Sequence, residues 1–82
     1  MEATGRTRYK TPEEVISGIQ SQKTLVQIAR NNTDPSIRTA AMRRVTNVRV
    51  LMGIVRSDSD PMVRRMAETR AKRLEELRNE PE

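Results

Sequence analysis

Apolar residues recur along this chain at the three- and four-residue spacing of amphipathic helices, and turn-forming residues separate the segments that carry them. The spacing predicts five helices: a short one after Pro12, a second over about 21–31, a third after Pro35, a fourth over about 48–56 and a fifth after Pro61. No segment has the strict alternation of apolar and polar residues that is typical of a strand. The chain is therefore predicted to be all-α.

The same spacing predicts which side chains face the interior. With 82 residues and no Phe or Trp, the chain must build its core from Leu, Ile, Val, Met and Ala. The methionines at positions 42, 52, 62 and 66 are interpreted mainly as core filling, with a Met-lined docking patch as the alternative. The residues predicted to face inward are Val15, Ile16, Ile19, Leu25, Val26, Ile28, Ala29, Ile37, Ala40, Ala41, Val45, Val48, Leu51, Met52, Val55, Val63, Met66, Ala67, Ala71, Leu74 and Leu77.

Three helices are predicted to begin in the same way, with a capping residue followed by proline. Thr11, Asp34 and Asp60 each precede a proline, and a side-chain oxygen at this position accepts hydrogen bonds from the free N–H groups of the first turn. We interpret the two aspartates as N-caps that contribute about 1 kcal/mol each. Arg38 and Arg64 follow four residues later and are expected to brace the turn or to link adjacent units.

The chain also contains an internal repeat with a period of 26 residues. Residues 24–45 align with residues 50–71, and a fixed period of this kind is typical of stacked supersecondary units. The identical pairs are Leu25/Leu51, Ile28/Ile54, Arg30/Arg56, Asp34/Asp60, Pro35/Pro61, Arg38/Arg64, Ala41/Ala67 and Arg44/Arg70.

Each repeat contains the signature Asp-Pro-x-(Ile/Val)-Arg, preceded by matching apolar positions. The segments that carry it are Leu25–Arg30, Asp34–Arg38 with Ala41, and then Leu51–Arg56, Asp60–Arg64 with Ala67. In these residues the chain resembles the HEAT-like helical-repeat family over about residues 12–77. The resemblance implies a short stack of antiparallel helix pairs that acts as a binding scaffold. The period is shorter than the ~40–47 residues of standard units, which indicates a short variant.

Charge divides the chain into three parts. Residues 24–73 carry eleven basic and four acidic side chains, a net of +7, within a total of +5 for the whole chain. We predict a flexible basic arm over 1–10, a repeat domain over 11–77 and an acidic tail over 78–82. The cations Arg43, Arg44, Arg65, Arg70, Lys72 and Arg73 are interpreted as a solvated helix face, with Glu68 and Lys72 as a possible ion pair.

A second group of polar residues is the candidate partner-binding site. The helical spacing places three of them on one face of the second helix, and the repeat places three more on the fourth helix. The HEAT-like resemblance implies that these helices line the concave side of the stack. A glycine at the centre would let a partner approach closely, and ordinary solvated charge is the alternative. This basic surface consists of Lys23, Gln27, Arg30, Arg49, Gly53 and Arg56.

Composition favours binding over catalysis. The chain has no His or Cys and no glycine-rich phosphate loop, so we expect no enzymatic activity, no metal and no cofactor. With no apolar run near the roughly 20 residues that span a bilayer and no secretory signal, we expect a soluble, cytoplasmic protein.

The expected function is a small binding or assembly module that docks an acidic protein partner through the basic surface. The alternative is sequence-nonspecific binding of duplex DNA or structured RNA through the same surface, which the sequence pI of about 10.7 favours. Single-strand binders stack bases on aromatic rings, and Tyr9 is the one aromatic residue of the chain. Uncapped ends of the stack also suggest self-association.

Overall fold

A computed structural model describes residues 11–78, and no β-strand occurs among them. The helices of this region are α1 (Pro12–Val15), α2 (Gln22–Asn31), α3 (Pro35–Met42), α4 (Val48–Ser57) and α5 (Pro61–Arg78). The predicted all-α class and all five predicted helices are confirmed. The predicted basic arm and residues 79–82 of the predicted tail lie outside the described residues. Of the helices named above, none combines the length and the apolar composition that crossing a membrane requires.

The helix starts follow the predicted capping chemistry. The Thr11 hydroxyl accepts a hydrogen bond from the Glu14 backbone N–H, and the Glu14 carboxylate accepts one from the Thr11 N–H, which completes a capping box. Asp34 and Asp60 each accept the backbone N–H two residues later, at 2.8 and 2.7 Å. Because proline has no N–H to satisfy, each cap and its proline together fix where the helix begins.

Packing joins the helices into two pairs that meet through α3 and α5. The most extensive contacts are between α4 and α5 and between α2 and α3, and α3 also contacts both α1 and α5. The buried core lies between these helices. It consists of Ile16, Leu25, Ala29, Ala40, Ala41, Met42, Val45, Leu51, Ile54, Val63, Ala67 and Ala71.

For four of the residues predicted to face inward or to fill the core, the prediction is wrong. Val15, Met62 and Leu77 are more than half exposed, and Met52 is 38% exposed. The buried residues of α4 are Leu51, as predicted, and Ile54, which the sequence pattern did not select. Apolar side chains surround much of α4, so contact with α5, rather than spacing, decides which of them is covered.

The 26-residue repeat recurs in the hydrogen bonds of the two turns. Asn32 and Asp58 are equivalent positions, and each side chain accepts the backbone N–H two residues later at 2.9 Å. Arg38 Nη1 donates to the Asn32 carbonyl at 2.7 Å, and Arg64 Nη1 donates to the Asp58 carbonyl at 2.8 Å. Both arginines therefore brace the turn of their own unit, as predicted.

A second pair of equivalent arginines ties consecutive Pro-initiated helices together. Arg44, just after α3, donates to the carbonyls of Ile16 and Ile19 just after α1. Arg70, on α5, donates through Nε to the Val45 carbonyl at 3.0 Å. Ile19 and Val45 are one 26-residue period apart, as are Arg44 and Arg70. The hydrogen bond that links α1 to α3 therefore recurs between α3 and α5. The interpretation of Arg44 and Arg70 as part of a solvated face is wrong. Both are half-buried, and they donate hydrogen bonds to carbonyls that follow the ends of α1 and α3.

Candidate partner-binding surfaces

The four cations of the basic surface lie on α2 and α4 and point into solvent. Lys23, Arg30, Arg49 and Arg56 are all exposed. Within residues 11–78, none of the four forms a hydrogen bond or an ion pair through its side chain. Their charge is therefore not neutralised by the described part of the fold, and it is available to a ligand.

The structure brings the ends of α2 and α4 together. A cleft of about 390 Å³ separates the α2–α3 turn from the α4–α5 turn, and Arg30 lines it together with Ile54 and Ser57 of α4. Elsewhere α2 and α4 pack mainly against α3 and α5 rather than against each other. The predicted neighbouring position of Lys23 and Arg49 accordingly stays a prediction.

Gln27 and Gly53 occupy equivalent positions at the centre of the basic surface. Gln27 is exposed and Gly53 is half-buried. A Cβ atom built on Gly53 would have no neighbour within 4 Å, so nothing inside the described fold requires a glycine there. The space beside this part of α4 is open, and the α4 backbone is accessible there because Gly53 has no side chain to cover it.

Replacing Gly53 with alanine is expected to raise the free energy of unfolding by about 0.5–1 kcal/mol. The reason is that alanine restricts the unfolded chain and favours the helix, and the structure offers no clash to offset this gain. Urea denaturation followed by circular dichroism measures the change. Gln27→Ala at the equivalent position of α2 is the matched control, expected to change stability by only a few tenths of a kcal/mol. A loss of stability in Gly53→Ala would contradict the expectation.

Met52 adds an apolar side chain to the basic face of α4. It follows Arg49 by three residues and precedes Arg56 by four, so the helix places all three on one side. Met52 also lines a cleft of about 450 Å³ between α4 and the C-terminal half of α5, with Val48 and Ala71. Lys72 and three glutamates, Glu68, Glu75 and Glu76, line the same cleft, so on this side the basic surface borders a cleft with both apolar and acidic side chains.

A buried ion pair connects the two helix pairs near this surface. Arg38 Nε donates to one carboxylate oxygen of Asp58 at 2.9 Å, and Nη2 donates to the other at 3.0 Å. The side chains are 10% and 4% exposed, respectively. We call this contact the Arg38–Asp58 clasp. Sequence reasoning anticipated that Arg38 would link units but did not identify Asp58. The sequence feature that could have identified Asp58 is that it carries a carboxylate at the position where the first unit has Asn32.

Sequence reasoning also missed a cleft between α3 and α5. This arginine cleft has a volume of about 480 Å³. One of its arginines, Arg43, forms an exposed ion pair with Glu13 at 3.3 Å. The predicted pair of Glu68 and Lys72 is present at 4.0 Å, but both residues line the cleft between α4 and α5 instead. The spacing of residues 65, 69 and 73 on one face of α5 was the signal for the arginine cleft. The lining residues are Met42, Arg43, Arg65, Met66, Thr69, Arg70 and Arg73.

Between residues 11 and 78, no three side chains among His, Cys, Asp and Glu are grouped in a way that would hold a metal ion. Comparison of the chain with protein-family models, with curated proteins and with solved structures found no match. A functional hypothesis for this protein therefore depends on its own surface chemistry.

Proposed function

We propose that the protein is a non-enzymatic binding module that docks an acidic protein segment on the basic surface of α2 and α4. The observation that carries the proposal is that, among the described residues, some cations of the protein have internal polar partners and others have none. Arg38 and Arg44 are committed to internal carbonyls and carboxylates, whereas Lys23, Arg30 and Arg49 have no polar partner within residues 11–78. Guanidinium groups bind carboxylates through paired N–H donors, which gives geometric specificity for an acidic ligand.

An acidic protein segment is favoured over nucleic acid by the exposed Met52. A phosphate backbone offers no apolar group for a methionine between two arginines, whereas an amphipathic helix offers leucine and glutamate side chains at helical spacing. Gly53, adjacent to Met52, leaves space for close approach of such a helix. The HEAT-like resemblance supports the same class of function, because solenoids present extended surfaces to macromolecular partners.

The test is fluorescence anisotropy with a labelled amphipathic peptide whose polar face consists of glutamate. Binding to the intact protein is expected, and the double variant Arg49→Glu/Arg56→Glu is expected to weaken it by about tenfold or more, since like charges now face each other. Circular dichroism should show unchanged helicity, because both side chains are exposed and form no internal bond within the described residues.

Arg65→Glu/Arg73→Glu is the control with the same change of charge, because it alters the arginine cleft instead of the basic surface. It is expected to retain most of the affinity for the peptide. Equal losses in the two double variants would indicate a diffuse charge effect, and a loss in the control alone would place the site in the arginine cleft. Either result would contradict the proposal.

Nucleic acid is the second candidate, because residues 24–73 carry a net charge of +7. Labelled duplex DNA and structured RNA are measured beside the peptide at low and moderate salt. Affinity for either that exceeds affinity for the peptide and falls steeply with salt would replace the acidic-segment proposal.

A further inference from the structure

The arginine cleft between α3 and α5 gathers positive charge that the described residues do not neutralise. Arg65 and Arg73 are exposed, and their side chains form no hydrogen bond or ion pair within residues 11–78. Arg70 donates through Nε to a backbone carbonyl at 3.0 Å, and its two Nη groups have no acceptor in that part of the chain. Glu13 offsets the charge of Arg43 alone. Three guanidinium groups therefore line one cleft without a carboxylate partner among the described residues.

The same cleft has an apolar lining. Met66 is half-buried and Met42 is buried, and both line the cleft beside the arginines. The volume of about 480 Å³ is within the range of sites that hold small organic molecules. Such sites combine apolar side chains with a few polar groups that fix the orientation of the ligand. The cleft therefore suits a small ligand that has both an anionic part and an apolar part.

We propose that the arginine cleft binds a nucleoside diphosphate, with its phosphoryl groups on the arginines of α5 and its base against Met66. Charge complementarity identifies the anionic part. A terminal phosphoryl group carries about 1.5–2 negative charges at neutral pH and the inner one adds a further charge, so a diphosphate ester roughly balances three guanidinium groups. The planar fork of each guanidinium also binds phosphate oxygens in pairs.

The apolar part is identified by what can pack on a methionine between arginines. A thioether sulfur makes favourable contacts with aromatic rings, and guanidinium groups stack on them. Among residues 11–78 the chain has no aromatic side chain of its own to supply such a ring. A planar base in the ligand supplies it.

Two other anions match the cleft less well. A carboxylate of an acidic peptide carries one charge on two oxygens, so three guanidinium groups would need three such side chains in one small cleft. Duplex nucleic acid keeps its bases stacked inside the helix and presents phosphates with one charge each, which leaves Met66 without an apolar contact. The inference goes beyond the proposed function and does not depend on it, because the basic surface lies on α2 and α4.

The test is a titration of the 82-residue chain with ADP, followed by NMR of ¹³C-labelled methionine methyl groups. Using the whole chain includes any competition from its own carboxylates. The Met66 methyl signal is expected to shift, because an aromatic ring lies against it in the complex. The Met52 methyl signal, on the basic surface, is the control in the same spectrum and is expected to stay unchanged. Met66→Leu and Met52→Leu, which each remove one signal, assign the two resonances.

Two fragments of the nucleotide separate the contributions of its parts. ADP is expected to bind at least about tenfold more tightly than adenosine, since adenosine makes no charge-assisted hydrogen bond to the arginines. It is expected to bind about threefold more tightly than pyrophosphate, which lacks the base that contacts Met66. These comparisons are made on the unaltered protein, so they do not depend on the folding of a variant.

Variants of the protein locate the phosphoryl groups. Arg65→Gln/Arg73→Gln is expected to weaken ADP binding about tenfold or more, because two charge-assisted contacts are lost. Arg49→Gln/Arg56→Gln makes the same change of charge on the basic surface and is expected to keep the affinity for ADP. Circular dichroism confirms that both variants are folded, which is expected because all four side chains are exposed.

Several outcomes would overturn the inference: an unchanged Met66 signal, equal affinity for ADP and adenosine, or full affinity for ADP in Arg65→Gln/Arg73→Gln. Equal affinity for ADP and pyrophosphate would remove the role of the base. A shift of Met52 with a loss of affinity in Arg49→Gln/Arg56→Gln alone would move the nucleotide to the basic surface. Duplex DNA that binds more tightly than ADP and displaces it would make the occupant a nucleic acid.

The proposed function is tested separately from this site. Absence of ADP binding, with the glutamate peptide still captured by the basic surface, would overturn the nucleotide site and leave the proposed function in place. Loss of peptide binding with ADP still bound would do the reverse. Displacement of ADP by the glutamate peptide would place both ligands in the arginine cleft and contradict both proposals.

Discussion

Replacing Asp58 with alanine is expected to lower the free energy of unfolding by about 3–5 kcal/mol. Among residues 11–78, the substitution leaves the buried Arg38 guanidinium with the Asn32 carbonyl as its one hydrogen-bond acceptor, and an uncompensated buried charge is costly. A chain of this length has a total stability of about 4–12 kcal/mol, so the loss is a large fraction of it. Urea denaturation at neutral pH measures the loss.

The repeat itself provides a control for this prediction. Asn32→Asp places a carboxylate at the equivalent position of the first unit, where Pro12, and not an arginine, stands one period before Arg38. This variant is expected to stay within about 0.5 kcal/mol of the natural chain. The double variant Arg38→Met/Asp58→Leu removes both charges and is expected to recover most of the loss. Equal effects of Asn32→Asp and Asp58→Ala would contradict the role of the clasp.

Replacing Leu51 with alanine is the second substitution with a large expected effect, a loss of about 2–5 kcal/mol. Leu51 is fully buried in α4, and truncation removes its transfer free energy and leaves a cavity between α4 and its neighbours. The size of the loss depends on how far α4 and α5 can move toward each other, because a cavity that neighbouring side chains partly fill costs less.

Leu77 is the matched control, because it is the same residue type in a helix but is 55% exposed. Leu77→Ala is expected to change stability by less than about 0.5 kcal/mol, since little apolar area is uncovered and alanine is a good helix former. Both leucines satisfy the apolar periodicity of the sequence. A large loss in Leu77→Ala would show that the end of α5 is covered in solution.

The positions of the helices could be predicted from the sequence because their boundaries depend on local chemistry. Proline preceded by Thr11, Asp34 or Asp60 starts a helix through bonds that reach only two or three residues. The 26-residue repeat likewise identified Arg38 and Arg64 as turn braces. The predicted antiparallel stacking of HEAT-like units and the acidic partner remain proposals.

What the sequence did not reveal depends on contacts between distant segments. Burial of Ile54 together with Leu51 on α4, and exposure of Met52, are decided by the helix packing on α4. Arg44 and Arg70 were misinterpreted because a long side chain can satisfy a carbonyl about 25 residues earlier, which helical spacing does not encode. The pairing of Arg38 with Asp58 is of the same kind. The placement of Lys23 beside Arg49 has not been tested.

The Arg38–Asp58 clasp has a consequence for how this chain can change in length. The donor belongs to one unit and the acceptor to the next, and they are separated by 20 residues. Duplication of one whole period would supply a new acceptor for Arg64 and a new donor for the unit after it. An insertion of any other length in α4 would turn the carboxylate away from the guanidinium. Lengthening by whole units is thus the change in length that is expected to keep this ion pair.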